Sequence, residues 1–177
     1  MRKIQNTELG RLTVEDFKQV QKKPFIFLLD NVRSMNNIGS VFRTADAFRC
    51  TSIGLCGITA TPPHREIHKT ALGAEESVDW FYEKDITVAV QKMKAEGYII
   101  AAIEQIEGGI SLNKFQPQSG KKYVFIFGHE VNGVSEDVLK YCDLFIDIPQ
   151  QGTKHSLNIA VAAGIVAWQF MIHLEGE

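Results

Sequence analysis

The strongest constraint on the fold is a series of short, almost wholly apolar runs that recur along the chain. FIFLLD (residues 25–30) is the clearest of them, and SIGLCG (52–57), YIIAAI (98–103), YVFIFG (123–128) and DLFIDIP (143–149) follow it. Apolar runs of this length are typical of strands that are buried on both faces of a parallel sheet. The chain is therefore expected to form such a sheet.

Helical patterns lie between these runs. Thr13 precedes Asp16 by three residues, a variant of the capping box, and predicts a short helix that leads into the first strand. Strands that alternate with helices predict an α/β domain with a mostly parallel sheet flanked by helices. The other predicted elements are a helix over about 38–48 capped by Asn36 and Asn37, a weak strand in 77–82, and helices in 86–96, 136–142 and 157–173.

Size and composition indicate one globular domain. The chain has 177 residues, of which 45% are apolar and 23% charged, close to the average for soluble domains. The net charge of −2 gives no global basic field, so a nucleic-acid partner would have to be held by a local patch. Residues 1–24 carry six basic and three acidic side chains, which makes this segment either such a patch or a solvated helix face.

Cysteine usage and hydropathy bear on the compartment. Cys50, Cys56 and Cys142 are odd in number and lack zinc-ligand spacing, so a reducing cytoplasm is expected. The N-terminus has no apolar signal-peptide core, and we expect no export. Residues 159–172 form the longest apolar stretch, which is shorter than the ~20 residues needed to cross a bilayer. We therefore expect a buried helix there and no membrane partner.

Ligands of parallel α/β sheets bind beyond the carboxyl ends of the strands, which directs attention to the loops after Asp30, Phe127 and Ile148. The first of these loops leads to Asn37 and Arg43. A guanidinium has the planar donor geometry that suits phosphate. The same two residues also fit a capping asparagine and an ion-paired surface arginine, and this loop alone favours that plainer interpretation.

The second loop, FGHEVNGVSED (127–137), resembles a phosphate loop only superficially. It lacks Gly-Lys-Ser/Thr, and Glu136 and Asp137 in the first turn of the following helix, after Ser135 as its cap, would repel an anion. Backbone amides together with Glu130 suit a neutral or cationic ligand better.

The third loop presents Ser156 and Asn158 just before an apolar helix. We predict that Ser156 caps this helix and that Asn158 lies in its first turn, where the side-chain amide could reach a site. Asn158 could also satisfy a neighbouring backbone group, as buried polar side chains usually do. Polar groups at three strand ends together favour a site.

A metal centre is not expected. His64 and His68 have the i, i+4 spacing of a zinc pair, but Glu66 is the only acidic residue between them, so exposed loop histidines are the simpler interpretation. No nucleophile elbow of the G-x-S-x-G type occurs either.

Three ordered segments resemble the signature motifs of the SpoU/TrmH family of RNA ribose 2′-O-methyltransferases, in the SPOUT class. They are NNIGSVFRTADAF (36–48), FIFGHEVNGVSEDVL (125–139) and IPQQGTKHSLNIAVAAGI (148–165). Together with HKTALGA (68–74), they extend the resemblance over about residues 25–174.

The resemblance implies an enzyme that transfers a methyl group from S-adenosylmethionine to a ribose 2′-hydroxyl of tRNA or rRNA. It implies a homodimer and a single SPOUT domain over residues 25–177, after a short basic helical lead-in of residues 1–24. It also implies a deep trefoil knot over about residues 123–170, although knots are nearly absent from proteins in general.

The resemblance also assigns roles to individual residues. By the resemblance, Arg43 would contact the target ribose and its 3′-phosphate and help to remove the 2′-hydroxyl proton. Because a guanidinium rarely gives up its proton, we expect Arg43 to stabilise the developing alkoxide instead. The residues that position the reacting groups are Asn37, Glu130, Ser156 and Asn158. The residues that hold the cofactor are Phe127, Gly128, Glu130, Ile148, Ser156 and Leu157.

Two positions depart from the family pattern beside the expected site, namely Gln150 and Lys154, and they bear on cofactor affinity and substrate choice. Two other functions stay open. One is a knotted dimer that binds RNA or cofactor without turnover, and the other is a SPOUT methyltransferase that acts on a base.

Overall fold

The computed structural model describes residues 1–5 and 8–174, and a seven-stranded sheet lies at its centre. The strands are β1 (Lys23–Asp30), β2 (Cys50–Cys56), β3 (Trp80–Glu83), β4 (Tyr98–Ile103), β5 (Ile110–Ser111), β6 (Lys122–Phe127) and β7 (Leu144–Asp147). Their order across the sheet is β3-β2-β1-β6-β4-β7-β5, and all these neighbours pair in parallel. The predicted parallel α/β sheet is confirmed. The two-residue strand β5 was not predicted, because it is too short to show a periodic pattern.

Strand β1 shows why the apolar runs form the centre of the sheet. Its side chains alternate between two separate cores: Phe25, Phe27 and Leu29 lie in one, and Ile26 and Leu28 lie in the other. All five are 5% exposed or less. A strand that is covered on both faces needs apolar side chains at every position, which explains the absence of polar alternation in FIFLLD.

Helices cover both faces of this sheet. They are α1 (Val14–Gln19), α2 (Met35–Ala47), α3 (Arg65–Ala71), α4 (Ala74–Ser77), α5 (Ile86–Ala95), α6 (Glu136–Leu139) and α7 (Ile159–Leu174). Buried side chains of α1, α2, α3, α4 and α7 belong to one core, and those of α5 and α6 belong to the other. The result is a three-layer α/β/α arrangement.

Aromatic side chains fix the last helix on the sheet. The ring of Phe170 on α7 lies 5.3 Å from that of Phe25 and 5.4 Å from those of Tyr123 and Phe125, measured between centroids. Edge-on contacts of this kind add to the stabilisation that burial already provides. They anchor α7 across β1 and β6.

The predicted start of α2 was wrong. The helix begins at Met35, and the Ser34 hydroxyl accepts a hydrogen bond from the Asn37 amide nitrogen at 3.3 Å. Because Ser34 provides the cap, Asn37 lies inside the first turn and its side-chain amide is available for other contacts.

The predicted start of α7 was also wrong. The helix begins at Ile159, and Oδ1 of Asn158, not Ser156, accepts a hydrogen bond from the Ala160 amide at 2.9 Å. Asn158 was expected within the first turn, but it precedes the helix and caps it. Ser135 does occupy the residue before α6 as predicted, although its hydroxyl makes no capping hydrogen bond.

The apolar helix α7 is the segment most relevant to the membrane question, and it has 16 residues. Over residues 1–5 and 8–174, no helix combines the length and the hydropathy that a transmembrane span requires.

Candidate active site

A cavity of about 520 Å³ opens at the carboxyl edge of the sheet. Its walls come from the ends of β4, β6 and β7 and from the residues that lead into α7. A volume of this size is ordinary for a small-molecule site. All the predicted site residues line it except Arg43, and these are Asn37, Phe127, Gly128, Glu130, Ile148, Ser156, Leu157 and Asn158.

Three of these residues form a continuous chain of hydrogen bonds along the edge of the cavity. Nδ2 of Asn158 donates to Oδ1 of Asn37 at 3.0 Å, and Nδ2 of Asn37 donates to Oε1 of Glu130 at 3.4 Å. The chain links the start of α7, the first turn of α2 and the loop after β6. Because Asn158 also caps α7, the position of that helix and the orientation of Asn37 depend on the same side chain.

Glu130 ends this chain and connects it to the backbone. Its carboxylate accepts hydrogen bonds from the amides of Ser34 at 2.9 Å and Arg33 at 3.1 Å. Burial acts to raise the pKa of Glu130, but these amides, with Asn37, outweigh burial and hold the pKa below the ordinary glutamate value. The carboxylate therefore stays ionised and fixes the loop after β1 to the loop after β6.

Two further carboxylates hold the loop of residues 128–135, and neither was assigned a role from the sequence. Oδ2 of the buried Asp30 accepts from the Ser135 amide at 2.7 Å, and Oε2 of Glu104 accepts from the Val134 amide at 3.0 Å. Asp30 is the last residue of β1, and Glu104 directly follows β4. An acidic residue at the carboxyl end of an otherwise apolar run was the signal that could have identified both.

The same loop closes tightly on itself. His129 and Gly133 exchange two backbone hydrogen bonds of 2.9 Å, and Gly133 has a φ of +69°. A β carbon on Gly128 would lie 2.0 Å from the carbonyl carbon of Gly133, which leaves no room for a side chain. Gly128 is thus required by the close approach of two backbone segments.

Arg43 lies apart from the other predicted site residues. It is exposed on α2 and does not line the cavity. Each helical residue turns the chain by about 100°, so Arg43 points about 120° away from Asn37. Among the residues that the structure describes, it forms no hydrogen bond or ion pair, and its donors remain available to an external ligand.

The chemistry of the lining fits S-adenosylmethionine better than a phosphate ligand. Apolar side chains of Ile103, Ile146 and Leu157 lie beside carboxylates and backbone groups. No lysine or arginine lines the cavity in the described part of the chain, so an anion would find no counter-charge. A ligand with an apolar body and a cationic centre matches this environment.

The two histidines with zinc-like spacing make other contacts. Nδ1 of His64 accepts from the Glu66 amide at 3.2 Å, and Nδ1 of His68 lies 2.5 Å from Oε1 of Glu75. Within residues 1–5 and 8–174, no three His, Cys, Asp or Glu side chains are grouped so that they could hold a metal ion.

Known proteins share both the sequence pattern and the fold. The SpoU rRNA Methylase family matches residues 24–168. The chain is 29% identical over 167 residues to the 23S rRNA (guanosine-2′-O-)-methyltransferase RlmB of Nitrosomonas europaea. The aligned region covers 92% of this chain and 62% of that enzyme. The chain is also 24% identical over 168 residues to the tRNA (guanosine(18)-2′-O)-methyltransferase of Borreliella burgdorferi. That alignment covers 95% of this chain and 75% of the enzyme.

A solved structure agrees with these similarities. The AdoMet-bound rRNA methyltransferase from Sinorhizobium meliloti superimposes with a TM-score of 0.80 at 26% identity, over 89% of this chain and 60% of that one. The chain thus spans less than two thirds of the Sinorhizobium protein and of the Nitrosomonas enzyme. Since the family match covers most of its residues, the chain belongs to the SpoU rRNA Methylase family.

Proposed function

We propose that this protein is an S-adenosylmethionine-dependent methyltransferase that acts on a ribose 2′-hydroxyl of tRNA or rRNA. The observation that carries the proposal is the hydrogen-bonded chain Asn158–Asn37–Glu130 at the edge of the cavity. The relatives support the reaction class, because both curated relatives described above are 2′-O-methyltransferases, one of rRNA and one of tRNA.

The cavity would hold the cofactor, which supplies an electrophilic methyl group when bound. The residues proposed to hold it are Phe127, Gly128, Glu130, Ile148, Ser156 and Leu157. Backbone groups at the strand ends would bind the polar parts, and the apolar side chains would exclude water. Much of the rate would come from the alignment of the ribose oxygen with the methyl group, since well-oriented reactants react far faster than free ones.

Asn37, Glu130, Ser156 and Asn158 are proposed to create that alignment. Hydrogen bonds already connect Asn37 to Glu130 and Asn158, whereas the exposed side chain of Ser156 makes no hydrogen bond among the described residues. We therefore assign Ser156 to contacts with the ligands and the other three to a fixed frame.

Arg43 is proposed to contact the target ribose and the adjacent phosphate. A guanidinium keeps its proton at any physiological pH, so a role as a general base is excluded by its chemistry. Its five donors suit a developing alkoxide and a phosphate oxygen. The absence of partners for Arg43 among the described residues leaves these donors available.

A homodimer through α7 is part of the proposal. The apolar side chains of Val161, Ile165, Trp168 and Ile172 are exposed, Trp168 by 60%, and their spacing places them on one face of the helix. The Trp168 ring lies 6.5 Å from that of Phe48, so this face continues onto the end of α2. An exposed apolar surface of this kind is typical of a protein interface.

The remaining parts of the proposal concern the chain as a whole. We propose one SPOUT domain over residues 25–177, with residues 1–24 as a basic lead-in that contacts RNA. We also propose a trefoil knot over about residues 123–170, on the basis of the likeness to the SpoU rRNA Methylase family. Three free cysteines are consistent with a cytoplasmic location.

The test is transfer of a labelled methyl group from S-adenosylmethionine to bulk RNA that lacks the modification. We expect incorporation by the wild-type protein and a loss of about 100-fold or more in Arg43→Ala, in line with the removal of a donor to a developing oxyanion. Lys92→Ala is the control, because it removes an exposed positive charge from α5 on the opposite face of the sheet. Equal incorporation by wild type and Arg43→Ala would exclude the role assigned to Arg43.

A further inference from the structure

Glu104 places a fixed carboxylate in the cavity. Oε1 accepts from the Gln105 amide at 3.0 Å, and Oε2 accepts from the Val134 amide at 3.0 Å. A β carbon on Gly133 would lie only 2.2 Å from Oε2, so a glycine at that position is needed for the carboxylate to occupy its place. Backbone groups of two separate loops thus hold the charge in one position beside the cavity.

The ionisable side chains around the cavity make this charge effective. Glu104, Glu130 and Asp147 contribute carboxylates, and Oδ1 of Asp147 is buried and has no hydrogen-bond partner among the described residues. In the described part of the chain, none of the three forms an ion pair with a lysine or arginine. A lysine, Lys154, lines a neighbouring cavity instead. A carboxylate without a counter-charge in a partly enclosed site attracts a cation more strongly than one in bulk water.

The cofactor and the product of the proposed reaction differ in charge. S-Adenosylmethionine carries a positive sulfonium, and the loss of its methyl group to the ribose oxygen leaves a neutral thioether of nearly the same shape. A site that recognised shape alone would bind both about equally. A fixed negative charge in the site would bind the positively charged cofactor more tightly than the neutral product.

We propose that Glu104 is a specificity-determining residue of the cofactor site, whose carboxylate favours the sulfonium ligand over its neutral thioether product. The inference rests on the proposed function. As a consequence, fresh cofactor displaces the product more readily than it would in an uncharged site. The reason is that the neutral product is not attracted to the carboxylate, whereas the sulfonium of the cofactor is.

The test compares the binding of three ligands by calorimetry: S-adenosylmethionine, S-adenosylhomocysteine, and the analogue in which an amine replaces the sulfonium. In Glu104→Gln, we expect the preference for each cationic ligand over the thioether to fall by at least about fivefold, the size of the interaction between unit charges about 4 Å apart even in bulk water. Glu107→Gln is the matched control. It makes the same change of charge three residues further along, on a side chain that lines the neighbouring cavity. In Glu107→Gln, the preference for the cationic ligands over the thioether should equal that of the wild type.

Two further measurements separate charge from loop positioning. Glu104→Asp keeps the charge, so its preference for the cationic ligands should stay near the wild-type value even if all three affinities fall. The wild-type protein itself must bind the amine analogue more tightly than the thioether, which requires no variant to fold. Equal affinity of the wild type for these two ligands, or an equal loss of all three in Glu104→Gln, would overturn the proposal.

The outcomes also distinguish this inference from the proposed function. If the wild type binds all three ligands and Glu104→Gln weakens them equally, only the role of Glu104 in discrimination is contradicted. If the wild type binds none of them, the cofactor assignment fails, and the inference fails with it.

Discussion

Asn37 and Asn158 are 121 positions apart in the chain, and their side chains share a hydrogen bond of 3.0 Å. Each uses its amide at both ends, because Asn158 also accepts from the Ala160 amide and Asn37 also donates to Glu130. An aspartate would lack the donor, and a serine would be too short to span both contacts. The amide group is therefore the chemical feature that these positions require.

Substitution of Asn158 separates its two contacts. Asn158→Ala removes the cap of α7 and should lower the free energy of unfolding by about 1–2 kcal/mol. Asn158→Ser keeps a capping oxygen and should cost less than about 0.5 kcal/mol, since serine is as good a cap as asparagine. Both variants lose the contact with Asn37, and both should lose most of their methyl transfer. Denaturant unfolding and transfer assays measure the two effects, and full activity in Asn158→Ser would contradict the role of the Asn37 contact.

Glu130 predicts a pH dependence of stability. Its pKa is depressed in the folded state, so the stability that it contributes is present above the unfolded-state pKa of about 4.3 and is lost as the pH falls through the folded value. Wild type should therefore be more stable than Glu130→Gln near neutral pH, and the difference should shrink below about pH 4.3. Chemical unfolding at several pH values measures it. A difference that stays constant or grows on acidification would show that the carboxylate is not stabilised as described.

At the scale of elements, the loop of residues 128–135 is the part of the site that the fold controls most tightly. Carboxylates from two strand ends accept hydrogen bonds from its last two amides, and Glu130 within it binds the loop after β1. These contacts come from three different segments. The loop thus takes its conformation from the surrounding sheet as well as from its own sequence.

Gly128→Ala tests this tight packing. The new methyl group would lie about 2 Å from backbone atoms of Gly133 and Val134, which cannot move aside as a flexible side chain could. We expect displacement of the loop and loss of cofactor affinity by at least about tenfold, because aligned contacts depend on small distances. Gly152→Ala is the control, since a β carbon there meets no atom of the described residues within 4 Å. Unchanged affinity in Gly128→Ala would show that the loop does not shape the site.

Helix α7 carries the prediction about assembly. Ile165→Asp places a charge in the centre of the exposed apolar face and should convert a dimer into a monomer, as measured by light scattering or sedimentation. Val88→Asp is the matched control, because Val88 is 50% exposed on α5 and belongs to the other layer. A monomeric wild type, or an unaffected dimer in Ile165→Asp, would exclude assembly through this face.

The strands and the two helix starts show how far sequence patterns reach. The longer strands were predictable because burial on both faces requires continuous apolar runs, and β1 has this property in full. The two-residue β5 is too short to show such a pattern. The starts of α2 and α7 were not, because several adjacent side chains can cap a helix and only the tertiary contacts decide among them. Ser34 capped one helix where Asn36 and Asn37 were expected, and Asn158 capped the other where Ser156 was expected.

For the whole molecule, the order of the strands determines which loops meet. β6 lies beside β4, and β4 beside β7, so residues that are distant in the chain surround one cavity. Most of the predicted site residues line it, whereas the roles of Glu104 and Asp30 emerged only from their hydrogen bonds to the loop after β6. The position of Arg43 outside the cavity also could not be predicted, because it depends on how α2 is rotated against the sheet.

The most direct test of the central claim is the chemical position of the methyl group. RNA that has been methylated with labelled cofactor by the wild-type protein is digested to completion with a nuclease that requires a free 2′-hydroxyl. A ribose methyl group blocks cleavage at the adjacent phosphodiester, so we expect the label in resistant dinucleotides. Label in mononucleotides with a methylated base, or no label in RNA at all, would contradict it.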